Sequence, residues 1–278
     1  MARHGVRGRT CHAGRVSPPA EPGPRSRPRP RDAFVTVYGR KPVLEALADR
    51  ALTVAKVLVA DGARGQSLDE ILDIADARGV PVHRVSAHRV KVLAGNGRHD
   101  QGVLADVLAK RMRPLDTALP AGRTSGPAGL LVLDRITNPA NVGMILRTAT
   151  AAGLDGVVLP RRGTPSIDPL VVKASAGVAF HAPVLRAATA EGACRQLAEA
   201  GFAVLGLSGS APDARSLYRD APPQRTAYVL GNETTGLSEP VRRELTGWVS
   251  IPMAGGVESL NVASAAAVVC FEWARQQR

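Results

Sequence analysis

"GLLVLDRITNPANVGMILRTATAAGLDGVVLP", residues 129–160, holds an apolar strand, a turn signal, a helix-period segment closed by glycine, and a second apolar strand. Strands that are apolar throughout, without polar alternation, belong to sheets covered on both faces. Two of them joined through a helix predict a parallel crossover. The alternation continues downstream. "FAVLGL" (202–207), "TAYVLG" (226–231) and "WVSIPM" (248–253) read as further strands, and "AEGACRQLAEAG" (190–201) and "NVASAAAVVCFEWARQQ" (261–277) as helices. The fold class this predicts is α/β, with a mainly parallel sheet and helices on both faces. Ligands in such sheets gather beyond the C-terminal strand ends.

Upstream, residues 33–109 read as a separate small α/β domain. "KPVLEALAD" and "SLDEILDIADARG" have helical spacing, the second closing on Gly79, and "AKVLVA", "VPVHRV" and "QGVLADVLA" read as strands. "KRMRPLDTALPAGRTSGPA" (110–128) has no periodicity and reads as a linker to the large domain, 129–278. Residues 1–32 are Arg, Pro and Gly with almost nothing to bury, the composition of a disordered basic arm.

The formal net charge of +12 favours a polyanionic partner, above all nucleic acid. Eight arginines against Glu21 and Asp32 put +6 of it in the arm and leave +6 for the other 246 residues. Cys11, Cys194 and Cys270 are too few and too scattered for a disulfide framework, which favours a reducing cytoplasm. No secretory h-region and no membrane-length apolar run occurs. CxxC, HExxH and Walker A patterns are absent, and His83, His88, His99 and His181 are dispersed, so no metal site is expected. Gly95-Asn96-Gly97 meets Asp100 where a dinucleotide fingerprint needs its third glycine, which argues against a Rossmann-type enzyme.

Three strand ends concentrate polar residues. After Asp134 comes the Asn138-Pro139 turn, with Asn141 expected to cap a helix whose Val142, Ile145, Leu146, Ala149 and Gly153 share one face. Arg147 points nearly away from that face, either as a solvated surface residue or as one presented to a phosphate or a partner subunit. Gly231 ends a strand and lets backbone approach a ligand, with Glu233 at once behind it; an ordinary turn with a solvated Glu fits equally. In the third, Ser259 or Asn261 begins a helix whose Val262, Ala265, Ala266, Val269 and Trp273 form one face, with Val268 and Phe271 on another. A helix so apolar is deeply buried or covered by a second subunit.

Together "DRITNPANVGMILRTATAAG" (134–153), "LGNETTGLSEPV" (230–241) and "SIPMAGGVESLNVASAAAV" (250–268) resemble the three motifs of the SpoU (TrmH-like) family of SPOUT RNA 2′-O-methyltransferases. The resemblance covers residues 36–278. "VYGRKPVLEAL" (37–47) and "HDQGVLADV" (99–107) resemble the family's substrate-binding domain, which is related to ribosomal protein L30e. It implies a C-terminal trefoil knot, a homodimer and S-adenosylmethionine held by Gly231, Ile251 and Leu260, with Leu207 and Met253 beside them. It further implies Asn141, Arg147, Glu233, Ser259 and Asn261 as the active-site set. Arg147 would activate the ribose hydroxyl across the dimer or, as a permanent cation, hold the adjacent phosphate and the developing alkoxide. The activity implied is 2′-O-methyl transfer to RNA, with 23S ribosomal RNA ahead of tRNA as target. A non-catalytic RNA-binding or ribosome-assembly protein is the competing class. The long Arg/Pro arm and the "NET" of the second motif are the unusual parts, and bear on target choice more than on chemistry.

Overall fold

The computed structural model describes Met1 and residues 33–95, 100–119, 126, 128–211, 213–219 and 221–277; the arm expected over residues 1–32 lies, Met1 apart, outside them. The first sheet is built from β1 (Phe34–Tyr38), β2 (Val54–Ala60), β3 (Val82–Val85) and β4 (Val103–Leu108), with α1 (Arg40–Ala48), α2 (Gln66–Ala77) and α3 (Ala87–Ala94) between them. Its order is β1-β4-β2-β3, with β4 antiparallel to both neighbours and β3 parallel to β2. Leu68, Ile71 and Ala75 are the buried face of α2, which closes at Gly79 with φ of +63°. Sequence reading missed β1 and α3, both short and flanked by charge.

The second sheet has eight strands in the order β10-β12-β9-β11-β6-β7-β8-β5, every neighbouring pair parallel. They are β5 (Arg113–Pro114), β6 (Ala128–Leu133), β7 (Gly156–Pro160), β8 (Val184–Ala187), β9 (Ala203–Leu207), β10 (Arg215–Ser216), β11 (Arg225–Leu230) and β12 (Gly247–Ser250). The helices are α4 (Leu115–Ala118), α5 (Pro139–Ala151), α6 (Pro169–Ala174), α7 (Ala190–Glu199), α8 (Glu239–Arg242) and α9 (Val262–Gln276). Part of the expected linker is therefore structured: Arg113–Pro114 pairs with β8 and Leu115 is buried. Two paired residues are too few to leave a periodicity.

Alternate strand residues fill two cores. Leu131, Leu133, Tyr228 and Leu230 face α5 and α9, whereas Leu130, Val132, Ala227 and Val229 face α7 and α8. Each fully buried Leu or Val contributes roughly 1.5–3 kcal/mol, so covering both faces explains why these strands carry no polar alternation. Tyr228 and Trp273 meet edge to face at 6.4 Å and seat α9 on β11. Val262, Ala265, Ala266, Val269 and Trp273 are buried as predicted, while Phe271 remains 55% exposed.

From β6 the chain steps outward through β7 to β8, then crosses back so that β9, β11 and β12 lie on the other side of β6. The direction reverses between β6 and β11. At such a switch point the loops leaving neighbouring strands diverge and open a crevice.

Candidate active site

The loop leaving β6 is fastened to the loop leaving β11. Asp134, almost fully buried, accepts the Ser238 N–H through Oδ2 at 2.6 Å. Asn232 Nδ2 donates to Arg135 O at 3.2 Å, and Arg135 Nη2 donates to Gly236 O at 3.2 Å. Asn232 Oδ1 also accepts from Thr234 N and Thr235 N, which folds residues 232–236 into a tight turn closed by mutual backbone bonds between Asn232 and Gly236. Asp134 and Arg135 open the first motif stretch and Asn232 begins the "NET" of the second, but the sequence alone assigned none of them a role.

The helix cap differs from expectation. Asn138, not Asn141, caps α5, accepting the Ala140 N–H at 2.9 Å, and Pro139 occupies the first helical position. Proline there needs no N–H partner and has its φ preset for a helix, so the residue before it becomes the cap. Asn141 is left in the first turn, only 5% exposed, with its amide turned toward the other two loops. Its Nδ2 donates to Glu233 Oε1, and its Oδ1 accepts from Asn261 Nδ2 at 3.2 Å. A carboxylate can only accept, so Glu233 dictates which end of the Asn141 amide faces Asn261. Asn261 Oδ1 in turn accepts from Ala263 N at 2.9 Å and Ser264 N at 3.4 Å, making Asn261 the N-cap of α9. Ser259, the other residue expected to begin that helix, lies two positions before the cap.

Beside this chain of amides opens a cavity of about 810 Å³ between the ends of β9, β11 and β12. Leu207, Gly231, Ile251, Met253 and Leu260 line it, together with Glu233 and Ser259. Gly231 is required where it stands: a Cβ there would lie 2.5 Å from Gly236 C, inside the backbone of the 232–236 turn. A Cβ on Gly209 would come 3.1 Å from Glu258 O across the cavity mouth. The walls thus combine backbone and apolar side chains with the polar side chains of Ser208, Ser210, Asn232, Thr234 and Ser250, and with Glu233 and Glu258 as the carboxylates. Among the described residues no cluster of three or more His, Cys, Asp or Glu side chains stands ready for a metal. None of the described helices is long and apolar enough to cross a membrane.

Arg147 is not brought to this cluster. Six residues beyond Asn141 on α5, it lies about 9 Å further along the axis and roughly 120° around it. It is exposed, and no hydrogen bond or ion pair joins it to any described residue. It shares the outward stripe of α5 with Met144, which is 41% exposed, and α5 packs on α9, which carries the exposed Phe271.

Residues 129–271 match the family model described as the SpoU rRNA Methylase family, and residues 36–112 match the one described as RNA 2′-O ribose methyltransferase substrate binding. A protein of Mycolicibacterium vanbaalenii called an uncharacterized tRNA/rRNA methyltransferase is 34% identical over 99% of this chain and 91% of its own length. The 23S rRNA (guanosine-2′-O-)-methyltransferase RlmB of Xanthomonas axonopodis pv. citri is 35% identical over 87% of this chain and 96% of its own. Among solved structures, the AdoMet-bound rRNA methyltransferase of Sinorhizobium meliloti is similar at a TM-score of 0.59 and 25% identity, covering 88% of each chain. The SpoU methyltransferase AviRb of Streptomyces viridochromogenes, in complex with AdoMet, is similar at 0.60 and 25%, covering 89% of this chain and 91% of its own. With its catalytic-type and substrate-binding segments both matched, this chain belongs to the SpoU rRNA methylase family, enzymes that methylate RNA at ribose 2′-oxygens.

Proposed function

We propose that this chain transfers the methyl group of S-adenosylmethionine to a ribose 2′-hydroxyl of 23S ribosomal RNA. One observation carries the reading: the Glu233–Asn141–Asn261 chain of hydrogen bonds runs beside a cavity of about 810 Å³ at the switch point of the sheet. That volume falls in the range of roughly 300–1,000 Å³ typical of small-molecule sites. Its walls suit the cofactor. Apolar Leu207, Ile251, Met253 and Leu260 offer surface for a flat heteroaromatic ring, the strand-end backbone offers peptide groups, and Gly231 and Gly209 leave room at the closest approaches. Bound there, the cofactor supplies an electrophilic methyl group on a sulfonium.

The chain's own residues then have to present the ribose. Asn141, oriented by Glu233, and Asn261, fixed as a helix cap, form a rigid polar edge for the sugar, with Ser259 next to it on the cavity wall. Holding the hydroxyl in line with the methyl supplies much of the rate, since fixed geometry replaces a bimolecular encounter. A guanidinium offers donors and no acceptor, so Arg147 does not serve as the base. It therefore acts by gripping the phosphate next to the target and stabilising the developing alkoxide, and that phosphate takes the hydroxyl proton.

Arg147 does this from a partner subunit. The exposed Met144 on α5 and Phe271 on α9, two helices packed on each other, support a homodimer formed through them. Residues 33–109 form the L30e-like domain that holds the RNA, and residues 129–278, whose sheet Arg113–Pro114 joins at the β8 edge, carry the transfer site, with the chain after β9 tied into a trefoil knot. The relative named as a 23S rRNA methyltransferase favours ribosomal RNA, modified in the cytoplasm, over tRNA.

The test is transfer of tritium from methyl-labelled S-adenosylmethionine to 23S rRNA, 16S rRNA and bulk tRNA, followed by digestion to nucleosides. Label in a 2′-O-methylnucleoside of 23S rRNA is expected. Label in tRNA alone moves the target. Absence of label, together with no cofactor binding by calorimetry, makes the chain a non-catalytic RNA binder.

A further inference from the structure

Along the C-terminal edge of the large sheet the strands run β8, β7, β6, β11, β9, β12, and the cavity takes up only the β11–β9–β12 half. Arginines mark the other half. β7 leaves the sheet at Pro160 into Arg161 and Arg162, both exposed, whose backbone N–H groups bond Ala187 O and Ala188 O at 2.9 and 3.3 Å. β6 leaves the sheet into Asp134 and Arg135. The parallel pairing of β6 with β7 runs to Val132 and Val158, so Arg135 and Arg161 each follow three residues beyond it on adjacent strands. The loop after β7 closes on Arg135, since a Cβ on Gly163 would stand 3.3 Å from Arg135 Cγ.

Arg135 is held in an unusual way. Its φ is +56°, a region that residues with a Cβ adopt only at a cost, and such outliers gather at functional sites. One of its N–H groups is spent on Gly236 O, and Nε stands 3.8 Å from the buried Asp134 carboxylate. The side chain is still 44% exposed, with donors left toward solvent. The other oxygen of Asp134 accepts the Ser238 N–H. Arg162 has no ion pair among the described residues.

We infer that Arg135, Arg161 and Arg162 form a rim that grips the phosphates of the nucleotides flanking the target ribose, on the side of the site away from the cofactor cavity. This rests on the RNA methyltransferase reading above. Guanidinium forks match phosphate oxygens two at a time, and three of them on two adjacent strands present a track for a phosphodiester chain rather than a point for one ion. The track leads through Arg135 to the turn that carries Glu233. A backbone lying on it is delivered to the Asn141–Asn261 edge from the side opposite the methyl donor.

The test compares full-length wild type with R161A/R162A and R161K/R162K; Arg135 is kept because it also ties down the 232–236 turn. Affinity for a fluorescein-labelled 20-nucleotide RNA of mixed sequence is measured by anisotropy across a KCl series. R161A/R162A should bind more weakly, and its slope of log K against log [KCl] should be shallower by about 1.4, at about 0.7 per lost contact on a single strand. The lysine pair should restore most of the slope, and both variants should keep the wild-type cofactor affinity. A double-alanine variant with wild-type slope and affinity overturns the rim. A wild type that transfers no methyl group from S-adenosylmethionine to RNA overturns the methyltransferase reading, a separate failure.

Discussion

Asn261 does two things with one side chain, and substitutions can separate them. Its Oδ1 caps α9 through Ala263 N and Ser264 N, while its Nδ2 bonds the nearly buried Asn141. Asn261→Ala removes both. Loss of the cap costs about 1 kcal/mol, and loss of the partly buried bond, which strands the Asn141 carbonyl, about 1 kcal/mol more. At roughly 2–4 °C per kcal/mol for a domain of this size, the melting midpoint falls by about 4–8 °C. Asn261→Asp keeps an equally good capping oxygen and adds a charge that the helix N-terminus favours, by about 0.3–1 kcal/mol. It cannot donate to Asn141, however, and it turns a carboxylate toward the Asn141 oxygen. Asn261→Asp should therefore melt within about 3 °C of wild type yet methylate RNA on the order of 100-fold more slowly, the usual result of letting a reacting group drift by about an ångström. Circular dichroism melts and initial rates of tritium transfer, on the same preparations, give the comparison. An Asp variant with wild-type turnover would remove the amide chain from the mechanism. An Ala variant as stable as the Asp variant would remove the cap.

Gly231→Ala should destabilise the chain by about 1–3 kcal/mol in urea unfolding and abolish cofactor binding by calorimetry, because its Cβ would lie 2.5 Å from Gly236 C. Arg147→Ala should leave stability within about 0.5 kcal/mol, being exposed and without a partner among the described residues. It should nevertheless abolish methyl transfer while sparing cofactor affinity, and an active variant refutes the role assigned to it. Ala176 has φ of +51°, so Ala176→Gly should be neutral or raise stability by up to about 1 kcal/mol, the relief of the left-handed strain exceeding the added chain entropy. Burial pushes the thiols of Cys194 and Cys270 up to about 12. At pH 8 both should resist an aromatic disulfide reagent until urea unfolds the chain, and fast reaction of either in the native protein contradicts their burial.

The parallel sheet was legible because burial on both faces leaves its strands no polar positions, as in Leu130–Leu133 and Ala227–Leu230. Short edge strands were not: β5 and β10 hold two residues each, too few for any period. The cap of α5 falls on Asn138 rather than the expected Asn141, and the signal for it, proline directly after Asn138, is present in the sequence. Asn141, Glu233 and Asn261 could be named from the motif resemblance, but their contact spans 92 and 120 residues and exists only in the fold. The Arg135–Gly236 clamp, across 101 residues, left no mark in either stretch.

The strand order also dictates when this enzyme can become itself. β11 lies between β6 and β9, although it is made after both. Until residues 225–230 leave the ribosome, two long parallel edges stand open side by side, and no earlier segment can close them. Parallel pairings between distant segments form slowly, and open edges invite pairing with other chains. The walls of the cavity reach from Leu207 to Ala265, so they too belong to the last third of the chain. During synthesis the protein spends most of its time as an RNA-binding segment joined to an unfinished sheet. A truncation before residue 225 should therefore yield no folded fragment of the large sheet, only aggregate.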